Sequence, residues 1–168
     1  MTTQPEHILE KQLIEQLVTI CYTYVQIPDE EALLANLKKQ LEKHNNVTFT
    51  PKEFQQVVNI LSKGSVFDKA KPLRQKQHLV RENGDNLYFE FLNTQHWCRN
   101  QYQVTNQVAM EGKYKNRYDV TLLINGLPLV QIELKRRGLE MKEAFNQVNR
   151  YQRHSFGAGA ALFQYIQI

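Results

Sequence analysis

Apolar residues recur every three or four positions near the start of the chain. In HILEKQLIEQLVTICYTYV, Ile8, Leu9, Leu13, Ile14, Leu17 and Ile20 fall along one side, which predicts an amphipathic helix. Pro28-Asp29 closes that region, and Asp29 is placed to cap a second helix through DEEALLANLKKQLEKHN. A third helix starts at TPKEFQQVVNILSKG. Thr50 is the capping residue, Pro51 suits the first turn, Glu53 completes a capping box and Gly64 stops the run. Residues 65–84 are polar and basic and read as a loop or a marginal strand.

Beyond that point the period falls to two. NLYFEFLN (86–93) and QYQVTNQV (101–108) alternate, joined through His96, Trp97 and Cys98, and RYDVTLLI and LPLVQIELK are stronger strands still. LEMKEAFNQVNRYQRH returns to a helical pattern, with Met141, Ala144, Phe145, Val148 and Tyr151 on one side, and ALFQYIQI looks like a last strand. Helices, then a sheet, then a helix and a returning strand describe an α/β layered domain. The 168 residues suit one domain, with a helical, basic, insertion-like region over about 26–84 and the sheet over about 85–168.

Asn125-Gly126 signals a hairpin between the two strongest strands. Tyr118, Val120, Leu122 and Ile124 form the oily face of the first, and Val130, Ile132 and Leu134 that of the second. Opposed residues share a face, so even positions must pair with even. A three-residue loop, Asn125-Gly126-Leu127, achieves this by pairing 124 with 128 and 120 with 132. It also sets Asp119 opposite Glu133, Thr121 opposite Gln131 and Lys135 opposite Arg117. Two carboxylates facing each other across a ladder repel unless a cation lies between them or one keeps its proton.

Charge adds to this picture without deciding it. The net charge of +4 and a pI near 9.0 permit a polyanionic partner. Lys69, Lys71, Arg74, Lys76 and Arg81 form one basic stretch, Lys113, Lys115 and Arg117 a second, and Lys135, Arg136 and Arg137 a third. Solvated faces account for most such runs, yet clusters bracketing one hairpin would also suit a phosphate backbone. Cys21 and Cys98 lack metal-ligand spacing and read as reduced, small buried hydrophobes of a cytoplasmic protein. No apolar run approaches the roughly 20 residues of a membrane span, and the five histidines have no zinc-ligand spacing.

Two oxygen ligands from neighbouring strands, with coordination positions left over, describe a Mg²⁺ site of the kind used on phosphates. Lys135, two residues from Glu133, projects from the same face and could orient a water or stabilise transition-state charge. An edge hairpin with a solvated face and a simple Lys135 salt bridge explains the same letters. Glu-x-Lys also occurs at 111–113 and 140–142, but only Glu133-Leu134-Lys135 lies in an apolar strand opposite an aspartate.

Asp119, a hairpin and Glu133-Leu134-Lys135 resemble the PD-(D/E)xK nuclease signature. The longer run NRYDVTLLINGLPLVQIELKRRG, followed by EAFNQVNRYQRHS, is similar to the nuclease domain of type I restriction enzyme R (motor) subunits. The resemblance implies a restriction-endonuclease-like mixed sheet flanked by helices, with a helical N-terminal region. It implies that Asp119, Glu133 and the main-chain carbonyl of Leu134 bind Mg²⁺, that Lys135 is the catalytic lysine, and that duplex DNA is the substrate. The family's Gln-x-x-x-Tyr motif falls on Gln147 and Tyr151, and its first-helix glutamate on Glu10, for which Glu15 competes. Arg117, Arg136 and Arg137 are the candidate DNA contacts. Tyr118 stands where the signature's proline would be. The chain has no phosphate loop, so the resemblance makes it an N-terminal fragment of a longer ATP-driven subunit that assembles with methylation and specificity subunits. Two other readings stay open: a DNA-holding or subunit-docking module that does not cut, and a nuclease of repair or junction-resolving type.

Overall fold

A computed structural model describes residues 5–111, 115–135, 141–154 and 162–165. Helix α1 (Glu6–Thr19) leads to a short strand β1 (Thr23–Tyr24), then α2 (Glu30–Asn45) and α3 (Pro51–Ser62). Asp29 accepts a hydrogen bond from the Ala32 amide, and Thr50 and Glu53 form the reciprocal capping box, so both helices start where local chemistry says they should. Residues 65–84 depart from the expected loop. They hold α4 (Val66–Leu73), opened by a Ser65–Asp68 capping box, and β2 (Gln77–Val80).

The main sheet runs β1-β4-β5-β6, with β4 (Tyr102–Glu111), β5 (Lys115–Ile124) and β6 (Leu127–Ile132) antiparallel and β1 parallel to β4. This is the mixed sheet with flanking helices that the resemblance implies. Strand β3 (Asn86–Phe89) is shorter than the 86–93 pattern and pairs with β2 in a separate two-stranded sheet. Helix α5 (Met141–His154) follows β6. Residues Leu162–Tyr165 form a 3-10 turn where the sequence reads as strand, and the rest of ALFQYIQI lies outside the described residues.

Both faces of the main sheet are covered. On one, Leu33, Leu37 and Leu41 of α2 and Val57 and Leu61 of α3 join Val108, Met110, Leu123, Leu127, Tyr151 and Phe163 in the principal core. On the other, α1 lays Leu13, Ile14 and Leu17 over Val104, Val120 and Ile132. The helix stripes differ from expectation at their ends. Ile20 is exposed beyond α1, and in α5 Met141 and Phe145 are exposed while Val148 and Tyr151 are buried. Cys21 and Cys98 are both exposed, contrary to a buried role. Nor do the basic residues of 69–81 share one patch: Lys69 is buried against Gln164, whereas Arg81 turns to Glu53 and the Thr48 carbonyl.

The central hairpin reaches the expected pairing by another route. Its turn has two residues, not three: Ile124 pairs with Leu127, and Asn125 and Gly126 take left-handed φ of 50° and 82°. That geometry matches the twist of the flanking strands and suits Asn-Gly. Leu123 then pairs with Pro128 and Leu122 with Val130, leaving Leu129 as a bulge that restores even-to-even register. From there Thr121 pairs with Gln131 and Val120 with Ile132, as expected.

The turn is wedged against α2. A Cβ on Gly126 would lie 2.7 Å from the Leu37 Cα, and the positive φ adds backbone strain. Gly126→Ala is expected to lower stability by about 2 kcal/mol or more, read as a lower denaturant midpoint with an unchanged slope.

Candidate active site

Strand β5 carries Asp119 in its half-buried middle, and the residues after β6 bring Glu133, Leu134 and Lys135 alongside it. The ladder ends at Val120–Ile132, so neither the pairing of Asp119 with Glu133 nor that of Lys135 with Arg117 expected from the sequence is part of it. What lies beyond the ladder is a side-chain contact: Asp119 Oδ2 accepts the Leu134 amide at 2.9 Å. Glu133 Oε1 accepts from Lys135 Nζ, also at 2.9 Å. Glu133 Oε2 is buried where no N–H or hydroxyl donor reaches it, and the Glu133 carboxyl lies against that of Asp119, with which it shares a hydrogen bond when one of the two is protonated. An orphaned carboxylate oxygen is costly unless a proton or a cation completes it.

The electrostatics follow from this crowding. Burial pushes Glu133 up to about 7; Lys135 opposes that shift and the Asp119 charge adds to it. Burial also raises Asp119, against the Leu134 amide and Lys135, with Glu10 adding to the rise. Burial works against the Lys135 ammonium, but the Glu133 bond and the charges of Glu133, Glu6 and Asp119 outweigh it and hold its pKa up. Lys135 is therefore a charged group at neutral pH, facing two carboxyls that resist sharing negative charge.

Helix α1 delivers Glu10 to the same region. Glu10 shares the inner side of α1 with Leu13, Ile14 and Leu17, whereas Glu15 is exposed and lies 3.9 Å from Lys11. The Glu10 carboxylate accepts from the side-chain amides of Asn106 and Gln107. From α5, the Gln147 amide donates to the Tyr151 hydroxyl, which donates to the Arg117 carbonyl at 3.1 Å. Burial raises the Tyr151 phenol, the Gln147 bond opposes this, and the charges of Glu133 and Asp119 raise it further. Tyr151 also packs edge-on against Tyr118 at 4.9 Å. Gln147 and Tyr151 thus brace β5 at Arg117 and Tyr118, the two residues before Asp119.

Arg117 is exposed, and Arg136 and Arg137 lie outside the described residues. Among the described residues, no group of three or more His, Cys, Asp or Glu side chains gathers as a metal cluster. A divalent ion here would rest on two carboxylates and main-chain oxygen, with Glu10 close enough to act on Asp119 electrostatically. Asn106 and Gln107 did not stand out in the sequence. The only trace is a polar pair that interrupts the alternation of QYQVTNQV.

Over residues 3–168 the chain matches the family described as type I restriction enzyme R protein N terminus. The chain belongs to that family. It is 46% identical over its whole length to the endonuclease subunit of the type I restriction enzyme SsaAORF53P of Staphylococcus saprophyticus. It is 44% identical, again over its whole length, to that of SauCOLORF180P of Staphylococcus aureus. With the endonuclease subunit of EcoprrI of Escherichia coli it shares 41% identity over 98% of the chain. This R-protein N-terminal chain spans 18% of the length of the two staphylococcal relatives and 55% of the E. coli one. No described helix is long and apolar enough to cross a membrane.

Proposed function

We propose that this R-protein N-terminal domain hydrolyses phosphodiester bonds of duplex DNA, with Mg²⁺ held by Asp119, Glu133 and the main-chain carbonyl of Leu134. The observation that carries the reading is the buried Glu133 carboxyl, one oxygen of which no N–H or hydroxyl donor reaches, held against the Asp119 carboxyl. Both acids resist full ionisation alone, and a hard divalent cation with oxygen ligands is the partner that relieves them. When bound, Mg²⁺ acts as a Lewis acid on a phosphoryl oxygen. Lys135 brings a fixed positive charge to the same face, where it stabilises charge growing on the phosphate or orients the attacking water. Tyr151, through Gln147 and the Arg117 carbonyl, keeps β5 in place. Exposed Arg117 is a phosphate contact, a role shared with Arg136 and Arg137. ATP use and the meeting with methylation and specificity subunits belong to the remainder of a longer subunit.

A second reading, a DNA-holding or docking module without turnover, draws on the closed Lys135–Glu133 pair at 2.9 Å. With Lys135 occupying Glu133, the isolated domain would stay idle until assembly. Calorimetry with Mn²⁺ as the probe tests the metal reading. Binding by the wild type, lost in Asp119→Ala, is the expected result, and equal heats in both proteins would overturn it. Metal binding with no cleavage in the assembled complex would favour the second reading.

A further inference from the structure

Residues next to each other in a β-strand point to opposite faces. Asn106 and Gln107 are neighbours in β4, yet both donate side-chain amide hydrogens to the two oxygens of one carboxylate, Glu10. The backbone explains how. Gln107 takes a left-handed φ of 55°, in the middle of a ladder that is paired on both sides, Asn106 with Val120 and Val108 with Tyr118. A residue with a side chain rarely occupies that region, and inside a strand it signals a local constraint. The strand faces exchange at this point. Val104 packs under α1, but Val108 and Met110, of the same parity, join the principal core. On β5 the same exchange separates Val120 from Tyr118, on either side of Asp119.

The clamp is itself fixed. The Tyr24 hydroxyl donates to Asn106 Oδ1 at 2.9 Å, which leaves the Asn106 amide nitrogen free to face Glu10. Tyr24 is set by the parallel pairing of β1, with Tyr24 against Val104. Three side chains from two strands thus converge on a carboxylate from a helix, and the backbone kink that permits it lies opposite Asp119. A tether for α1 alone would need no such kink, since Leu13, Ile14 and Leu17 already seat that helix.

We propose that Asn106 and Gln107, oriented by Tyr24, are positioning residues that hold the Glu10 carboxylate toward the Asp119–Glu133 pair, so that Glu10 contributes to metal binding through them. This rests on the metal reading above. Gln107→Gly is the sharpest variant, because glycine accepts the left-handed φ without strain while removing the amide. In the native-length protein, Gln107→Gly is expected to melt no lower than wild type and to bind Mn²⁺ about tenfold more weakly. Glu10→Ala should show a similar loss, and the double variant should lose no more than Glu10→Ala alone. Should Gln107→Gly fail to fold, Asn106→Leu, of similar shape, takes its place with the same expected loss. Wild-type affinity in a folded clamp variant, or a loss that adds in full to that of Glu10→Ala, would overturn the positioning role. Failure of the wild type itself to bind Mn²⁺ would overturn the metal reading, and this inference with it.

Discussion

Replacing Lys135 with alanine is expected to reduce DNA cleavage by the assembled restriction complex at least a hundred- to thousand-fold, the range for losing one preorganised charge at a reacting centre. The side chain is 19% exposed and paired with Glu133, so its ammonium is fixed before substrate arrives. Metal binding should survive, with one qualification set by charge. Lys135 holds the Glu133 pKa down, so its removal lets Glu133 keep a proton to higher pH. Metal titrations on the variant therefore belong well above neutral pH, where that carboxylate is ionised in either protein. Lys135→Arg keeps the charge but replaces a compact ammonium with a planar fork, so rescue should be partial at best. The assay is nicking and linearisation of supercoiled plasmid with ATP and all subunits present. Unchanged cleavage in Lys135→Ala would remove the lysine from the chemistry.

The second large effect is a pH dependence centred on Glu133. Its pKa moves from 4.5 to about 7 on folding without metal, mainly through burial. The folded chain therefore holds a proton that the unfolded chain has released between those values. Stability from this group is present below pH 4.5 and falls as pH rises toward 7, the reverse of an acid in a favourable salt bridge. Asp119 is raised as well and acts in the same direction. Mg²⁺ or Mn²⁺ competes with the proton, so apparent metal affinity should weaken by up to about tenfold per pH unit below 7. Added metal should accordingly raise the melting temperature more at pH 8 than at pH 6. Glu133→Gln should flatten the metal-free stability profile. An affinity independent of pH from 6 to 8 would mean that the ion does not use this carboxylate.

The parts of the fold legible in the sequence are those written in local chemistry. Thr50, Pro51 and Glu53 announce α3 through contacts within a single turn, and Asp29 does the same for α2. Helix α4 carries an equivalent device, but with Asp68 in place of glutamate and Pro72 inside the helix, which disguises it as loop. The hairpin is the instructive case. Even-to-even pairing requires one extra residue, and the sequence cannot say whether that residue sits in the turn or in a bulge. It sits at Leu129, beside Pro128, and the ladder beyond is the same either way. That is why the pattern of the strands brings Asp119 and Glu133 together even though it puts the extra residue in the turn. Glu10 was separable from Glu15 in principle, since only Glu10 is spaced by three, four and seven residues from Leu13, Ile14 and Leu17. Burial of cysteines and of the α5 stripe was not, because exposure at Cys21, Cys98, Met141 and Phe145 depends on what packs over them. The left-handed turn at Gln107 was also hidden, since no glycine marks it.

One consequence of α1 bears on how the protein is handled. The helix both roofs one side of the sheet and supplies Glu10, so a protease nick or bulky fusion partner within residues 6–19 would strip shelter from Val104 and Val120 and remove the acid proposed to assist the Asp119–Glu133 pair in one stroke. Preparations trimmed at that end should be sticky and inert together, and weak activity in such a sample would speak of lost material rather than of a weak enzyme.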